Sequence, residues 1–350
     1  MKLESFAAIV SLAAASLWPA HAAEIPKDTP SVEEMAAYRG PDRTAKLLAA
    51  AKAEGELDVY HVYPPLTKVV SAFSKKYAIP AKLWRSSSET VLQRLVTEAR
   101  GGRFDADVVQ NNAVENEAAC REKLFLEVRS PAQDNLIPQA VPASHCWTGF
   151  TIDVFIAAYN TAKVPREDLP ATYEDLLKPR WKGAIAVEAD DSSWFGALAV
   201  AMGEEKAHKL FENLVATNGL AVRKGHSLLT NLVASGEVPI ALDTYGWIPE
   251  QLKDKSAPID VVALSPLMAQ FSTIAVVKRA KHPYTALLFY DFMLEEGQKV
   301  LNDLKFVPAS TKFEPAARKL PLTFIDPGIA LENRDKWLRD YQNIVVKGAR

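Results

Sequence analysis

Thiols are scarce in this 350-residue chain, which has two cysteines, Cys120 and Cys146, six histidines and no CxxC pair. A cysteine-based zinc site or a dithiol redox centre is therefore excluded. In an oxidising compartment the two thiols can pair or lie apart as buried apolar groups, and a chain of this size needs no covalent staple. An excess of either charge is lacking too. Forty-one basic residues against 43 acidic ones give a net charge of −2, so no global field holds a nucleic acid or an anionic membrane surface. Beyond the N-terminus no stretch reaches the roughly 18 uninterrupted apolar residues of a spanning helix. There is no GxSxG elbow, HExxH, GxxxxGK[ST] loop or strand-linked GxGxxG, so no motif supports covalent, zinc-hydrolytic or nucleotide chemistry. What remains is 48% hydrophobic and 24% charged, the composition of a globular protein long enough for two domains.

Residues 1–22 carry Lys2, an apolar run over 6–17, Pro19 and the small-x-small triplet Ala20-His21-Ala22. This is the pattern of a cleavable signal peptide, and it predicts an exported, soluble mature protein. Residues 23–43, polar and containing Pro26, Pro30 and Pro41, read as an extended lead-in.

From residue 44 the chain alternates. Helical patterns over 45–54, 66–77, 86–100 and 114–123 separate short β-type runs at 57–62, 80–84 and 105–109. The tetrad Ser86-Ser87-Ser88-Glu89 matches a capping box opening on Ser86. After a strongly β-like segment at 153–160 the alternation resumes, with strands at 184–188, 238–243, 260–264 and 273–278 and helices over 194–202, 204–218, 227–235 and 282–294. This order predicts an α/β protein of two lobes, each a mixed, mostly parallel sheet flanked by helices.

In open α/β sheets ligands bind beyond the carboxyl ends of the strands. The residues there are polar and aromatic: His61 and Tyr63; Arg85, Ser86, Ser87 and Ser88; Asn111 and Asn112; Glu188, Asp191, Ser192, Ser193 and Trp194; Thr244, Tyr245 and Trp247. Arg223, His226 and Ser227, in a basic turn ahead of the helix over 227–235, add positive charge to the same side and read equally well as a solvated turn. The serines precede predicted helices, whose free amides favour an anion, though each can equally be a plain cap. His61, Tyr63, Glu188, Asp191 and Tyr245 could instead assemble a hard-metal site. Taken singly, His61 reads as an interior histidine, Asp191 as part of a solvated turn and Trp194 as core. Glu188 with Asp191 could serve glycoside hydrolysis, but their spacing does not argue for it; a secreted hydrolase stays as the rival class.

Several segments together resemble the periplasmic substrate-binding proteins of ATP-driven importers, and among those the ferric-ion-binding branch. They are residues 54–61 (EGELDVYH), 107–109 (DVV), 159–161 (YNT), 169–176 (LPATYEDL), 179–183 (PRWKG), 234–239 (ASGEVP) and His282-Pro283, within a likeness running from about 44 to 310. The resemblance implies a type II two-lobed receptor, residues 44–151 and 271–350 forming lobe I and 152–270 lobe II. It would close like a hinge on a solute, work as a monomer with a membrane permease as partner, and need neither catalysis nor a cofactor.

The branch's iron site is only partly matched. Where it presents two adjacent tyrosines, this chain has Tyr245 followed by Gly246; a carboxylate position holds Asn112, and His61 is offset in its loop. Its anion-holding positions are matched by Ser192 or Ser193, His226-Ser227 and Thr244. These departures favour a small anionic or polar solute, with Fe³⁺ or an iron chelate as the alternative transported ligand.

Overall fold

The structure, a computed structural model, describes residues 24–348; the signal peptide expected over 1–22 lies outside them. Eleven strands are present among the described residues: β1 Leu57–His61, β2 Ala81–Arg85, β3 Val108–Asn112, β4 Thr148–Asn160, β5 Ile185–Glu188, β6 Leu220–Arg223, β7 Ile240–Tyr245, β8 Ile259–Val262, β9 Leu267–Val276, β10 Val307–Pro308 and β11 Leu322–Phe324. Their main order is β2-β1-β3-β9-β4-β7-β5-β6.

Two long strands organise this order. Residues 148–154 of β4 pair with β9, whereas residues 155–160 pair with β7 and β8, so one strand runs out of the first sheet into the second. The outer strands of each lobe are parallel, as the alternation predicts. The sheet is nevertheless not mostly parallel. Five of ten pairings are antiparallel, because β4 and β9, which pass between the lobes, oppose each other, β4 also opposes β7, β8 and β10, and β9 opposes β3.

Helical spacing of apolar residues fixes the covering layers. Leu66, Val69, Val70, Phe73 and Tyr77 form the buried stripe of helix Leu66–Tyr77, and Val91, Leu92 and Leu95 that of helix Ser88–Arg100. The latter helix is capped by Ser87, whose Oγ accepts from the Thr90 amide, and not by Ser86 with Glu89. Ser86 stays extended because its amide continues the strand pairing to the His61 carbonyl. The lead-in also holds a helix that its prolines obscure: Val32–Ala37 opens on a Ser31/Glu34 capping box and buries Met35 and Ala36.

Each lobe has its own core. Phe73, Phe150, Phe289 and Tyr290 lie at the centre of one, and Tyr159, Tyr173, Trp181, Trp194, Phe195 and Phe211 at that of the other. The C-terminal residues Ile325, Ala330, Trp337, Tyr341 and Val345 belong to the second core, which corrects the placement of the whole 271–350 segment in lobe I. The physical reason is Gly196: a Cβ there would come within 1.9 Å of the Trp337 indole, so only glycine lets helix Arg334–Tyr341 lie flat on helix Ser192–Met202. Cys120 and Cys146 form a disulfide, which settles the choice left open by the sequence.

Candidate functional site

Strands β5, β6 and β7 run parallel and end at Glu188, Arg223 and Tyr245, so the turns that follow open at one edge of the second sheet. Glu188 ties two of these turns together. Its carboxylate accepts from the amides of Asp190 (2.5 Å) and Gly225 (2.6 Å), while its own amide donates to Asp243 at 2.9 and 3.1 Å. Both acids are thus occupied by backbone donors.

His226 starts the next helix, with Nε2 3.4 Å from Asp191 Oδ1 and its ring 3.9 Å from that of Tyr245. Ligand atoms of Glu188, Asp191 and His226 all lie within 4.8 Å of one another. Burial alone would lower the His226 pKa, but the nearby Asp191, Asp243 and Glu188 carboxylates outweigh it and carry it up to about 9. Burial and the Asp191 charge push both Glu188 and Asp243 upward. Two atoms in this group are buried without a hydrogen-bond partner, Asp191 Oδ2 and His226 Nδ1.

The first lobe contributes Tyr63, in the turn after β1. Gln110 holds that turn by accepting from the amides of Val62 and Tyr63, and the Tyr63 ring packs against Phe306 and Trp247 with its hydroxyl unpartnered. Trp247 follows β7, so this aromatic contact joins the lobes. Between them, on β4, Asp153 is 2% exposed and accepts from the Ser272 hydroxyl at 2.8 Å through Oδ2. Its Oδ1 has no partner, and burial raises its pKa to about 7. Its cross-strand neighbour Gln270 donates to the Tyr245 hydroxyl at 3.1 Å.

Of the residues expected from the sequence, Glu188, Asp191, His226 and Tyr245 are brought together, while Tyr63 packs on Trp247 and Phe306. His61 closes its own turn, Nδ1 lying 3.0 Å from the Tyr63 carbonyl, and does not join the cluster. Ser87, Ser88, Asn111 and Asn112 bind one another or cap a helix: Asn112 Nδ2 donates to Ser88 Oγ and Asn111 Nδ2 to the Ser88 carbonyl. Thr244 is fully buried and donates to the Ile156 carbonyl. Trp194 is core, packed on Tyr173 and Phe211, and forms no wall of the site.

Ser192 and Ser193 start their helix half-buried beside Asp191, and Ser227 is exposed. The two arginines do not supply the cluster with charge. Arg85 is exposed with no ion pair among the described residues, and the Arg223 Nη1 donates to the neighbouring Val222 carbonyl at 3.0 Å. Asp153, Gln270 and Ser272 were absent from the expected set. A usable signal existed, since Asp153 is the one charged residue in the otherwise uncharged segment of β4.

Two α/β lobes joined by crossing strands, with polar groups of both lobes and of the crossing gathered in one place, define a solute-binding protein of the hinge-closing class. The chain belongs to the bacterial extracellular solute-binding protein family, whose pattern matches residues 112–326. It is a receptor of the kind that serves ABC importers. It is similar to the Fe(3+)-binding periplasmic protein of Serratia marcescens, 28% identical over 198 residues, a match covering 54% of this chain and only 56% of that protein. Its fold is similar to iron-bound HitA from Pseudomonas aeruginosa (TM-score 0.72, 22% identity, 83% of this chain and 99% of that one). It is equally similar to AfuA from Actinobacillus pleuropneumoniae with fructose-6-phosphate bound (TM-score 0.72, 21% identity, 83% and 99%).

Proposed function

We propose that this protein is a periplasmic receptor that closes its lobes on a small polar solute and presents the closed form to the permease of an ABC importer, without turning the solute over. One observation carries the reading: buried polar atoms without partners come from the first lobe (Tyr63 hydroxyl), the crossing strand (Asp153 Oδ1) and the second lobe (Asp191 Oδ2 and His226 Nδ1). Leaving such a group unmade costs about 1 to 3 kcal/mol, and a solute touching all of them recovers that cost only when the lobes are shut. Closure then follows from binding as a shift between open and closed populations. The signal peptide at 1–22, lobe I over 44–151 with the chain returning near 271, lobe II over 152–270 joined by C-terminal residues such as Trp337 and Tyr341, and a monomeric state complete this reading. Native mass spectrometry and small-angle scattering of protein purified from its own periplasm test it. A released organic ligand whose return restores a smaller radius of gyration supports it; turnover of that ligand, or no compaction, refutes it.

A ferric or iron-chelate receptor is the second reading, favoured by the proximity of Glu188, Asp191 and His226 and by the iron-binding names of similar proteins. Against it stand the backbone amides already occupying Glu188, together with Asn112 and Gly246 at positions where the iron-binding branch carries ligands. Tyr245→Phe separates the two. It abolishes a visible phenolate-to-iron band if iron is bound, and otherwise costs about one hydrogen bond, on the order of 1 kcal/mol.

A further inference from the structure

Resting on the receptor reading, we propose that Asp153 anchors the solute, and that the group it anchors is positively charged or hydrogen-bond-donating rather than a phosphate or carboxylate. The strand period places Thr151, Asp153 and Phe155 on one face of β4. Phe155 packs beneath Tyr245 and His226, 5.3 and 6.4 Å between ring centres, so that face looks into the group of residues described above. Asp153 is held there from the second crossing strand by Ser272, which fixes Oδ2 and leaves Oδ1 buried without a partner, beside the cross-strand Gln270 that donates to the Tyr245 hydroxyl.

A buried carboxylate oxygen with no donor is a costly arrangement that folding alone gives no reason to keep. The matching unpartnered carboxylate oxygen in the second-lobe cluster is Asp191 Oδ2. His226 is the one cationic group set into this cluster among the described residues, since Arg85 and Arg223 stay outside it. An incoming anion would meet carboxylates on the crossing strand and on the second lobe. An ammonium group, a set of hydroxyls or a metal ion would meet acceptors already desolvated and oriented. Because Asp153 lies on β4 and is bonded to β9, a contact made there is transmitted to both strands that join the lobes.

The test compares wild type with Asp153→Asn, an isosteric change that keeps an acceptor for Ser272, at pH 8. Calorimetric titrations use putrescine, sorbitol, magnesium chloride and inorganic phosphate, and thermal midpoints are recorded without ligand. Expected is binding of an amine, polyol or metal-ion probe by wild type, weakened at least tenfold in the variant, with the three probes distinguishing the chemistry of the anchored group. Expected too is a higher unliganded midpoint for the variant, because it removes a buried charge whose desolvation outweighs the Ser272 hydrogen bond and the His226 cation. Phosphate binding that the substitution leaves unchanged overturns the proposal. So does an unliganded midpoint that is equal or lower in the variant, which marks Asp153 as a structural residue and decides the matter even if wild type binds none of the four. Scattering of the wild type with its own copurified ligand reports separately on the receptor reading.

Discussion

Replacing His226 with glutamine isolates the electrostatics of the second-lobe cluster. The imidazole faces Asp191, Asp243 and Glu188 and is covered by Tyr245 and Phe155. Its place at a helix start disfavours a cation, and burial does too, yet the three carboxylates prevail. The folded pKa of about 9 lies above the ordinary value of 6.5, so the protonated form is the stabilising one. Its contribution is complete below pH 6.5 and disappears as the pH rises through 9. At about 1.4 kcal/mol per pH unit this interval is worth roughly 3 kcal/mol. Urea unfolding of unliganded wild type and His226→Gln at pH 6 and pH 10 measures it. Wild type should exceed the variant by about 3 kcal/mol more at pH 6 than at pH 10, with little response to 1 M salt because the pair is shielded from solvent. An equal difference at both pH values, or a larger one at pH 10, refutes the reasoning.

Three further outcomes are expected. Gly196→Ala forces the Trp337 indole off its bed and should cost about 1 to 3 kcal/mol in chemical denaturation, with a much smaller penalty in a Trp337→Ala background. Arg43→Ala strands the Asp291 carboxylate, since Arg43 is 3% exposed and Nε sits 2.7 Å from it; a loss of about 3 to 5 kcal/mol should appear in the same assay. Replacing both Cys120 and Cys146 with serine opens a loop closed over a sequence separation of 26 residues, which chain entropy values at about 3.5 kcal/mol, read as a lower thermal midpoint that reducing agent no longer changes.

Local rules made much of the fold legible. The 3.6-residue spacing of Val69, Val70 and Phe73, and the glycines closing several helices, identify the covering layers from sequence alone. The helix at Val32–Ala37 was written as openly in its Ser31/Glu34 box, but at six residues its apolar signal is too short to stand out beside three prolines. Strand direction was legible only for the outer strands of each lobe. Alternation cannot distinguish a strand that stays in one sheet from β4, which leaves one for the other midway along its length.

The site divides in the same way. Polar residues at the ends of β5 and β7 follow from the rule that parallel strands open their ligand edge at the carboxyl end, which points to Glu188, Asp191 and Tyr245, whereas His226 is legible only as part of a basic turn ahead of a helix. That rule is blind to a side chain in mid-strand, so Asp153 was passed over. It is also blind to how a side chain spends its hydrogen bonds, which is why Ser88, Asn112 and Thr244 looked available when neighbouring groups already bind them. The two α/β lobes and the family are legible along the chain, because periodicity and short motifs are local. The docking of Trp337 on Gly196, the place of Arg223 outside the cluster and the free buried oxygen of Asp153 arise only on folding. Each of these depends on contacts between residues far apart along the chain, and no local pattern encodes them.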